Sequence, residues 1–240
     1  MLELLDAPLP APARGVFTTR AGGFSRAPWD SLNLAVHVDD AFATVQRNRA
    51  LLVEQLGLEG LAFAKQVHGA RVRVVQGLSK KTSRGLDDCD ALVTTEPGIG
   101  LVMMGADCLP VLVAGGGVVG AAHVGRGGLQ VGVLDALVET MRAEGAVDLA
   151  AVVGPGICGS CYEVPASLAG EVEKAAPGSR CTTRQGTVGV DLVAGATGRL
   201  AALGVPATHV GGCTLEQPER FFSYRRDGVT GRHGGVVWLV

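Results

Sequence analysis

The chain has 240 residues and a nearly balanced charge, with 21 Lys and Arg against 23 Asp and Glu, while 47% of the residues are apolar and 18% are charged. This balance lacks the basic excess typical of proteins that bind nucleic acid or an anionic membrane, so we expect small-molecule substrates. No linker, low-complexity tract or repeat divides the sequence. It therefore predicts a single domain over residues 1–240, in which residues 1–13, with Pro8, Pro10 and Pro12, form a flexible N-terminal segment.

Neither export nor membrane insertion is predicted. The start, Met1–Asp6, lacks a basic segment and a long apolar run, so it does not resemble a signal peptide and we expect a cytoplasmic protein. The most apolar stretch, 101–124, is interrupted by Asp107, Pro110 and 115–117, which favours strand, turn and strand over a spanning helix. In a cytoplasmic setting the six cysteines are expected to be thiols or metal ligands rather than disulfides.

Periodicity predicts helices and strands mixed along the whole chain. Strands are predicted at Val16–Thr19, Arg71–Gln76, Ala91–Thr94, Ile99–Met104, Pro110–Ala114, Val118–His123, Leu149–Val153, Thr208–Gly211, Phe221–Tyr224 and Val236–Val240. Helices are predicted at Ala41–Leu56 (capped by Asp39 or Asp40 and ended by Gly57), at Gly128–Arg142, at Pro165–Ala175, and between the cap Asp191 and the stop Gly204. This pattern indicates a layered α+β or mixed α/β fold, without fixing its topology.

Three residues far apart in sequence carry metal-binding chemistry: His68, Cys108 and His123. Cys108 and His123 each lie at an end of a predicted buried strand, so one rim of a sheet could bring them together. Two histidines and one cysteine can hold a zinc ion that keeps a fourth position open for water or substrate. The alternative is a buried cysteine that packs as a small apolar residue, with two histidines satisfied by backbone partners.

Eight segments occur in the order seen in the YfiH family, also called the laccase-domain, polyphenol-oxidase-like or peptidoglycan-editing-factor family. They are Phe17–Ser25, Ser31–Leu34, Asn48–Arg49, Gln66–Gly69, Asp90–Thr94, Ala106–Pro110, Gly154–Ile157 and Phe221–Arg226. The resemblance runs from about Gly15 to the C-terminus. It implies a layered α-β-β-α sandwich, with two sheets between outer helices, a fold shared with some cysteine hydrolases.

The resemblance also implies an activity and a cofactor. One zinc ion per chain would be held by His68, Cys108 and His123, with copper as the alternative metal. The implied reactions are phosphorolysis of adenosine, inosine, guanosine and methylthioadenosine, and deamination of adenosine, so the expected ligands are a purine nucleoside and phosphate. Cys108, His123 and Asp107 are the expected catalytic residues. Asp107 could act as an acid or base, orient a ligand, or serve only the local conformation.

Candidate phosphate and substrate residues lie in three regions. The glycine-rich junction 125–128 offers free backbone amides and Arg126, although glycines there could simply permit a tight turn. The junction departs from the family text His-Ala-Gly-Trp-Arg-Gly, because Arg126 stands in place of the Trp and Gly127 in place of the Arg. Arg20 and Arg225 are further candidates for binding an anion. Ser25 and Asn33 could bind a ribose or base edge, or satisfy their own loop.

The remaining cysteines and histidines carry weaker signals. Cys158 and Cys161 form a C-x-x-C that could be a redox pair or half of a zinc site, but no second pair accompanies it. Cys89, Cys181 and Cys213 are predicted to be packing residues. His37 and Asp39 could support the site as partners of its ligands, while His209 and His233 are lone histidines.

Three other functions remain open from the sequence. Cys108 and His123 could form a nucleophile and base pair that hydrolyses an amide, in a role such as peptidoglycan-precursor editing; that pair would not need His68 as a ligand. Copper-dependent polyphenol oxidation is disfavoured, because a multicopper laccase needs many more histidines than the five present. A non-catalytic binding module would leave the arginine and metal motifs idle.

Overall fold

The computed structural model describes residues 2–78 and 86–240, which form two six-stranded sheets and a two-stranded ribbon with helices outside them. The strands are β1 Leu4–Ala7, β2 Ala13–Thr18, β3 Gly60–Lys65, β4 Val72–Val74, β5 Leu86–Asp88, β6 Ala91–Thr94, β7 Ile99–Gly105, β8 Leu109–Gly115, β9 Val118–Val124, β10 Ala150–Val153, β11 Arg180–Thr182, β12 Val188–Val190, β13 Ala207–His209 and β14 His233–Leu239. The helices are α1 Phe42–Leu56, α2 Arg126–Gln130, α3 Val133–Ala143, α4 Ala166–Ala175, α5 Leu192–Ala202 and α6 Tyr224–Asp227.

Both large sheets are mixed. The first has the order β1-β2-β14-β7-β3-β5, and its β3 is parallel to both β7 and β5. The second has the order β13-β10-β8-β9-β6-β4, in which the hairpin β8–β9 is antiparallel and the outer pairs β10–β13 and β4–β6 are parallel. Strands β7, β8 and β9 are buried along their whole length, so their continuous apolar runs reflect burial on both faces.

Three apolar cores define the layers. The middle core lies between the sheets and includes Phe17, Leu101 and Leu112. A second core packs α3 and its neighbours on the β8–β9 sheet through residues such as Leu137, and a third packs α1 on the other sheet through residues such as Leu52. The arrangement is therefore the layered mixed α/β sandwich that the sequence predicts.

Several predicted elements need correction. The helix predicted at Gly128–Arg142 is two helices, because Gly132 adopts a positive φ of 78° between α2 and α3. The strand predicted at Phe221–Tyr224 is wrong, since the Ser223 side chain accepts from the Arg226 amide and begins the short helix α6. Helix α1 has no side-chain cap from Asp39 or Asp40, but it does end at Gly57.

The N-terminal region contains regular structure. Within the segment predicted to be flexible, strand β1 pairs antiparallel with β2 at the edge of the first sheet. The apolar stretch 101–124 falls in strands β7 to β9. No helix in the described part of the chain is long and apolar enough to cross a membrane.

Candidate metal centre

His68, Cys108 and His123 converge at one end of the two sheets. His68 lies in the loop after β3 of the first sheet, Cys108 immediately precedes β8, and His123 lies near the end of β9 in the second sheet. The hairpin register pairs Pro110 with His123, which brings Cys108 level with the end of β9. The ligand atoms of the three residues lie within 4.8 Å of one another. The two rings are tilted by 59° with centroids 4.7 Å apart.

A fully buried carboxylate, Asp90, holds both histidines. Its oxygens accept from the backbone amides of Val67, His68 and Gly69 at 2.7 to 3.2 Å. The same carboxylate lies 2.8 Å from His123 Nδ1, which leaves Nε2 of that ring to face the cluster. Such a carboxylate partner commonly fixes the orientation of a ligating histidine. Asp90 therefore positions His68 through its backbone, at the unusual φ of 60°, and His123 through its ring.

The cluster has room for an ion because Gly125 has no side chain. A Cβ at Gly125 would lie 2.7 Å from Cys108 Sγ and 3.0 Å from His68 Nδ1. Tetrahedral bonds of about 2.0–2.3 Å place neighbouring ligand atoms about 3.3–3.8 Å apart, so a small adjustment of side chains spaced within 4.8 Å would close a site. Two imidazoles and one thiol are a donor set that suits zinc. The residues present therefore fit a metal with an open fourth position.

The pKa values of the cluster favour a Cys108 thiolate beside a protonated His123 ring, and metal binding would have to release the His123 proton. Burial raises the pKa of the Cys108 thiol, but the charge of His123 and the hydrogen bonds from both histidines lower it to about 6. Burial lowers the pKa of His123, whereas the Cys108 charge and the Asp90 hydrogen bond raise it to about 9. Burial likewise opposes ionisation of Asp90, but its bonds from His123 and the loop amides keep its pKa below the ordinary value. A thiolate is thus available at neutral pH, as a metal ligand or a nucleophile.

The cluster opens into a cavity of about 260 Å³. Its lining consists of His37, Gln66, His68, Met104, Gly105, Ala106, Cys108, His123, Tyr224 and Arg232. Gln66 closes the wall by exchanging hydrogen bonds of 2.8 and 2.9 Å with the backbone of Met104. His37, which the sequence suggested as a supporting residue of the site, lies in this wall.

Sequence reasoning missed Arg232 and Tyr224 as cavity residues. The half-buried Arg232 donates from Nη1 to the carbonyls of Thr230 and Gly231, and within the described chain no hydrogen-bond acceptor is found for its Nε and Nη2. Burial lowers the pKa of its guanidinium, although arginine stays protonated in proteins. The Tyr224 ring is 62% exposed, and the Arg232 guanidinium lies 5.9 Å from its centroid. Arg232 lies outside the eight family segments, and Tyr224 lies within the segment Phe221–Arg226 but was assigned no role there. Only the fold brings the start of strand β14 and helix α6 to the cluster.

Asp107 does not line the cavity although it adjoins Cys108. One oxygen accepts from Thr214 Oγ1 and the other from the Arg225 amide, both at 2.7 Å. Its φ of 101° is rare for a residue other than glycine. The carboxylate thus fixes a strained turn and the start of α6, which agrees with the conformational role left open for it.

The structure places the predicted anion-binding arginines outside the cavity lining. Arg225 donates to the Glu163 carbonyl at 3.1 Å and lies over the Tyr162 ring. Arg126 is the first residue of α2 and donates to Gln130, one turn further along the helix. Arg20 donates to the carbonyls of Asp30 and Pro218 and pairs with the Asp30 carboxylate. Each guanidinium therefore already holds protein groups in place.

Ser25 and Asn33 are buried in the loop before α1. Ser25 Oγ donates to Asp40 Oδ2 at 2.7 Å, and Asn33 Nδ2 donates to the same oxygen at 2.9 Å. Asn33 Oδ1 accepts from the amides of Ala35 and Arg232. Both side chains satisfy their own loop, and Asn33 in addition fixes the backbone of the cavity residue Arg232.

The fold and the cluster together define a layered α/β protein with a candidate metal centre where its two sheets meet. Comparison with known proteins identifies the family of this chain. The chain belongs to the family described as multi-copper polyphenol oxidoreductase laccase, whose model matches residues 14–240.

Relatives and solved structures agree with this membership. A purine nucleoside phosphorylase of Mycobacterium tuberculosis is 46% identical over 94% of this chain and 92% of its own length. One of Streptomyces griseus is 45% identical over 97% of both chains. The structure of YlmD from Geobacillus stearothermophilus matches with a TM-score of 0.87 and 31% identity, over 97% of this chain and 94% of its own. A Neisseria meningitidis protein matches with a TM-score of 0.86 and 34% identity, over 99% and 98%.

Proposed function

We propose that the protein is a zinc-dependent purine nucleoside phosphorylase that also deaminates adenosine. The observation that carries the proposal is the cavity that joins the cluster of His68, Cys108 and His123 to Arg232 and Tyr224. The relatives named purine nucleoside phosphorylase, aligned over nearly their whole length, support the same assignment. Adenosine, inosine, guanosine and methylthioadenosine are the proposed substrates.

The cavity suits the two substrates of phosphorolysis. Its volume of about 260 Å³ lies near the small end of ligand pockets, about 300–1,000 Å³, and so fits a nucleoside better than a polymer. The Arg232 guanidinium would bind phosphate through a planar fork of donors. The exposed Tyr224 ring offers a face on which a purine can stack. Phosphate held beside the sugar would then attack the carbon that bears the base, so that the bond from that carbon to the purine nitrogen breaks and the products are a sugar 1-phosphate and the free base.

A zinc ion held by His68, Cys108 and His123 would supply a Lewis acid for polarising a substrate or water oxygen, the chemistry that purine deamination requires. The chain's own contribution is geometric. Asp90 directs His123 Nε2 toward the cluster, and Gly125 leaves the space between Cys108 and His68 open. His68 is exposed to the cavity, so substrate can approach the cluster from that side.

Cysteine-dependent amide hydrolysis is the second candidate function. The observation in its favour is that the Cys108 thiol, with its pKa near 6, lies against His123, as a nucleophile lies against its base. His68 separates the two candidates, because only a metal centre needs its imidazole as a ligand.

Phosphate dependence is the direct test of the proposed function. We expect purified protein containing about one metal ion at this cluster to release hypoxanthine from inosine only when phosphate is present, with ribose 1-phosphate as the second product. Protein carrying His68→Asn and purified in parallel controls for a host phosphorylase. Equal rates with and without phosphate would make the enzyme a hydrolase. No base release from fully metallated protein would refute the nucleoside assignment, and copper in place of zinc would refute the metal assignment.

Arg232→Gln should raise the KM for phosphate by about 10- to 100-fold, because a hydrogen bond to a charged group contributes about 1.5–3 kcal/mol. The KM for inosine should change much less. Arg126→Gln is the matched comparison, since Arg126 lies on α2 and donates to Gln130. Initial rates at varied phosphate measure both effects. If Arg126→Gln, and not Arg232→Gln, raises the phosphate KM, the glycine-rich junction binds phosphate instead.

A further inference from the structure

A second cluster of metal-ligand side chains lies apart from the cavity. Its members are Cys158, Cys161, Cys213 and Glu216, whose ligand atoms all lie within 4.8 Å of one another. They come from two short segments with the same spacing, Cys-x-x-Cys and Cys-x-x-Glu. Pairs at this spacing are typical of structural zinc sites. We propose that these four residues form a structural zinc site, independent of the catalytic function proposed above.

Backbone hydrogen bonds preform each half of the site. In the first segment, the amides of Cys161 and Tyr162 both donate to the Cys158 carbonyl, at 2.9 and 3.0 Å. In the second, the amides of Glu216 and Gln217 both donate to the Cys213 carbonyl, at 3.2 and 3.1 Å. Each segment is therefore a single tight turn that presents its two ligand side chains on one side.

The two turns are also joined to each other. Gly156 pairs with Cys213 in an isolated parallel bridge, and the Thr214 amide donates to the Gly156 carbonyl at 3.0 Å. The Cys158 amide donates to Cys213 Sγ at 3.4 Å, and such a bond stabilises negative charge on a sulfur ligand. The two turns are thus joined by backbone contacts, which bring the four ligand side chains together even without a bond between those side chains.

The distances suit a tetrahedral ion. Cys158 Sγ and Glu216 Oε2 are 3.9 Å apart, and ligand atoms around zinc with bonds of about 2.0–2.3 Å are about 3.3–3.8 Å apart. Three thiolates and a carboxylate complete four-coordination, which is the closed arrangement of structural sites, whereas the cavity cluster offers only three ligands. Sulfur-rich tetrahedral sites favour zinc over magnesium or calcium.

Charge and access also fit the proposal. Arg184 pairs with Glu216 Oε1, which orients the carboxylate, leaves Oε2 for the ion and offsets part of the negative charge of the four ligands. Cys213 is only 8% exposed, while Cys158 and Cys161 are half-buried and Glu216 is exposed. The cluster therefore has a solvent path for loading and a buried inner ligand.

The site would tie together loops that border the cavity. Thr214, next to Cys213, donates through Oγ1 to Asp107, and its carbonyl accepts from Arg226 Nη1 at 2.6 Å. Asp107 adjoins Cys108, and Arg226 lies in helix α6 beside Tyr224. A metal at the second cluster would thus stabilise the turn before the first cluster and the helix that carries the cavity tyrosine.

Metal content provides the test. We expect native protein, purified without added metal and without chelator, to contain about two zinc ions per chain by inductively coupled plasma mass spectrometry. Cys158→Ser/Cys161→Ser should contain one fewer, as should His68→Asn, because each change empties a different cluster. Cys181→Ser is the matched control and should keep both ions, since among the described residues the hydrogen bond of Cys181 Sγ is to the Gly159 carbonyl and Cys181 belongs to neither cluster. If Cys158→Ser/Cys161→Ser keeps the wild-type zinc content, the proposal is wrong.

A spectroscopic measurement covers the case in which the double variant does not fold. His68→Asn protein stripped of zinc and reloaded with Co²⁺ should show strong thiolate-to-cobalt charge-transfer absorption, from the three cysteines of the second cluster. Absence of that absorption would overturn the proposal.

Thiol counting addresses the competing fate of this cluster, a disulfide. Wild-type protein is denatured in the presence of a chelator, without reductant, and treated with an alkylating agent. It should gain six adducts, one for each cysteine of the sequence. Four adducts, with a disulfide mapped among Cys158, Cys161 and Cys213, would overturn the metal site. None of these readouts depends on nucleoside turnover, so failure here leaves the proposed function untouched.

Discussion

Replacing His68 with asparagine should remove the cavity metal and lower kcat/KM for inosine phosphorolysis by about 10³-fold, because metal catalysis contributes several kcal/mol and each 1.36 kcal/mol is tenfold. Asparagine is chosen because it tolerates the φ of 60° that His68 adopts. The side chain is exposed, so little apolar burial is lost and the fold should persist. Metal analysis, circular dichroism and steady-state kinetics on the same preparation check each part.

His209→Asn is the matched control for this experiment. His209 is exposed on β13 and does not line the cavity, so its replacement should leave metal content and turnover unchanged. Full activity in His68→Asn, combined with complete loss on alkylating Cys108 in metal-free protein, would identify a cysteine nucleophile. That outcome would refute zinc-dependent turnover and make the Cys108 thiolate the reacting group.

Gly125→Ala should disrupt the same centre by steric conflict alone. The new Cβ would lie 2.7 Å from Cys108 Sγ, closer than non-bonded atoms approach, and 3.0 Å from His68 Nδ1, which is a tight contact. The φ of Gly125 is −96°, which alanine also adopts, so no backbone strain accompanies the change. We expect loss of most of the cavity metal and at least about a tenfold fall in turnover, since displacing catalytic groups by about 1 Å can cost about 100-fold.

Gly170→Ala separates this steric effect from a general effect of adding a methyl group. Gly170 lies within α4, and a Cβ there would meet nothing within 4 Å. Its replacement should raise the free energy of unfolding by about 0.5–1 kcal/mol, through helix propensity, and leave metal content unchanged. If Gly125→Ala keeps full metal and full turnover, the space beside Cys108 does not serve a metal.

The fold class and much of the element order could be predicted, because long apolar runs bounded by glycine, proline or aspartate signal buried strands. Strand β6 has its predicted bounds, and β7, β8 and β9 match within one residue. Strand β3 was missed because its run is short and contains Gly60 and Lys65. The strand predicted at Phe221–Tyr224 failed because the apolar pair Phe221 and Phe222 is buried in a loop, and the capping contact of Ser223 starts a helix directly after that pair.

The candidate site was predictable only in part, for a physical reason. Ligand chemistry is a property of residue type, so His68, Cys108 and His123 could be proposed as a ligand set from the sequence, with the family resemblance as the main support. Supporting contacts depend on which loops the topology brings together. Asp90 precedes a buried strand and gives no local sign that it serves two histidines, and Arg232 follows no anion-binding motif. Cys213, predicted to be a packing residue, meets the Cys158 turn only because a parallel bridge joins their segments.

The contact made by Asp90 also gives the cavity a mechanical property. The His68 loop extends from the first sheet, whereas Asp90 and His123 belong to the second, so this carboxylate spans the seam between two stacked layers. Any sliding of one layer over the other changes the separation of the imidazoles. Packing in the middle core, through residues such as Leu101 and Leu112, fixes how the two sheets stack. It therefore helps to set the distance between the His68 and His123 rings, although it does not touch them. The geometry that a metal ion would meet at this cluster is in that sense a property of how two sheets stack, as well as of the residues that would touch the ion.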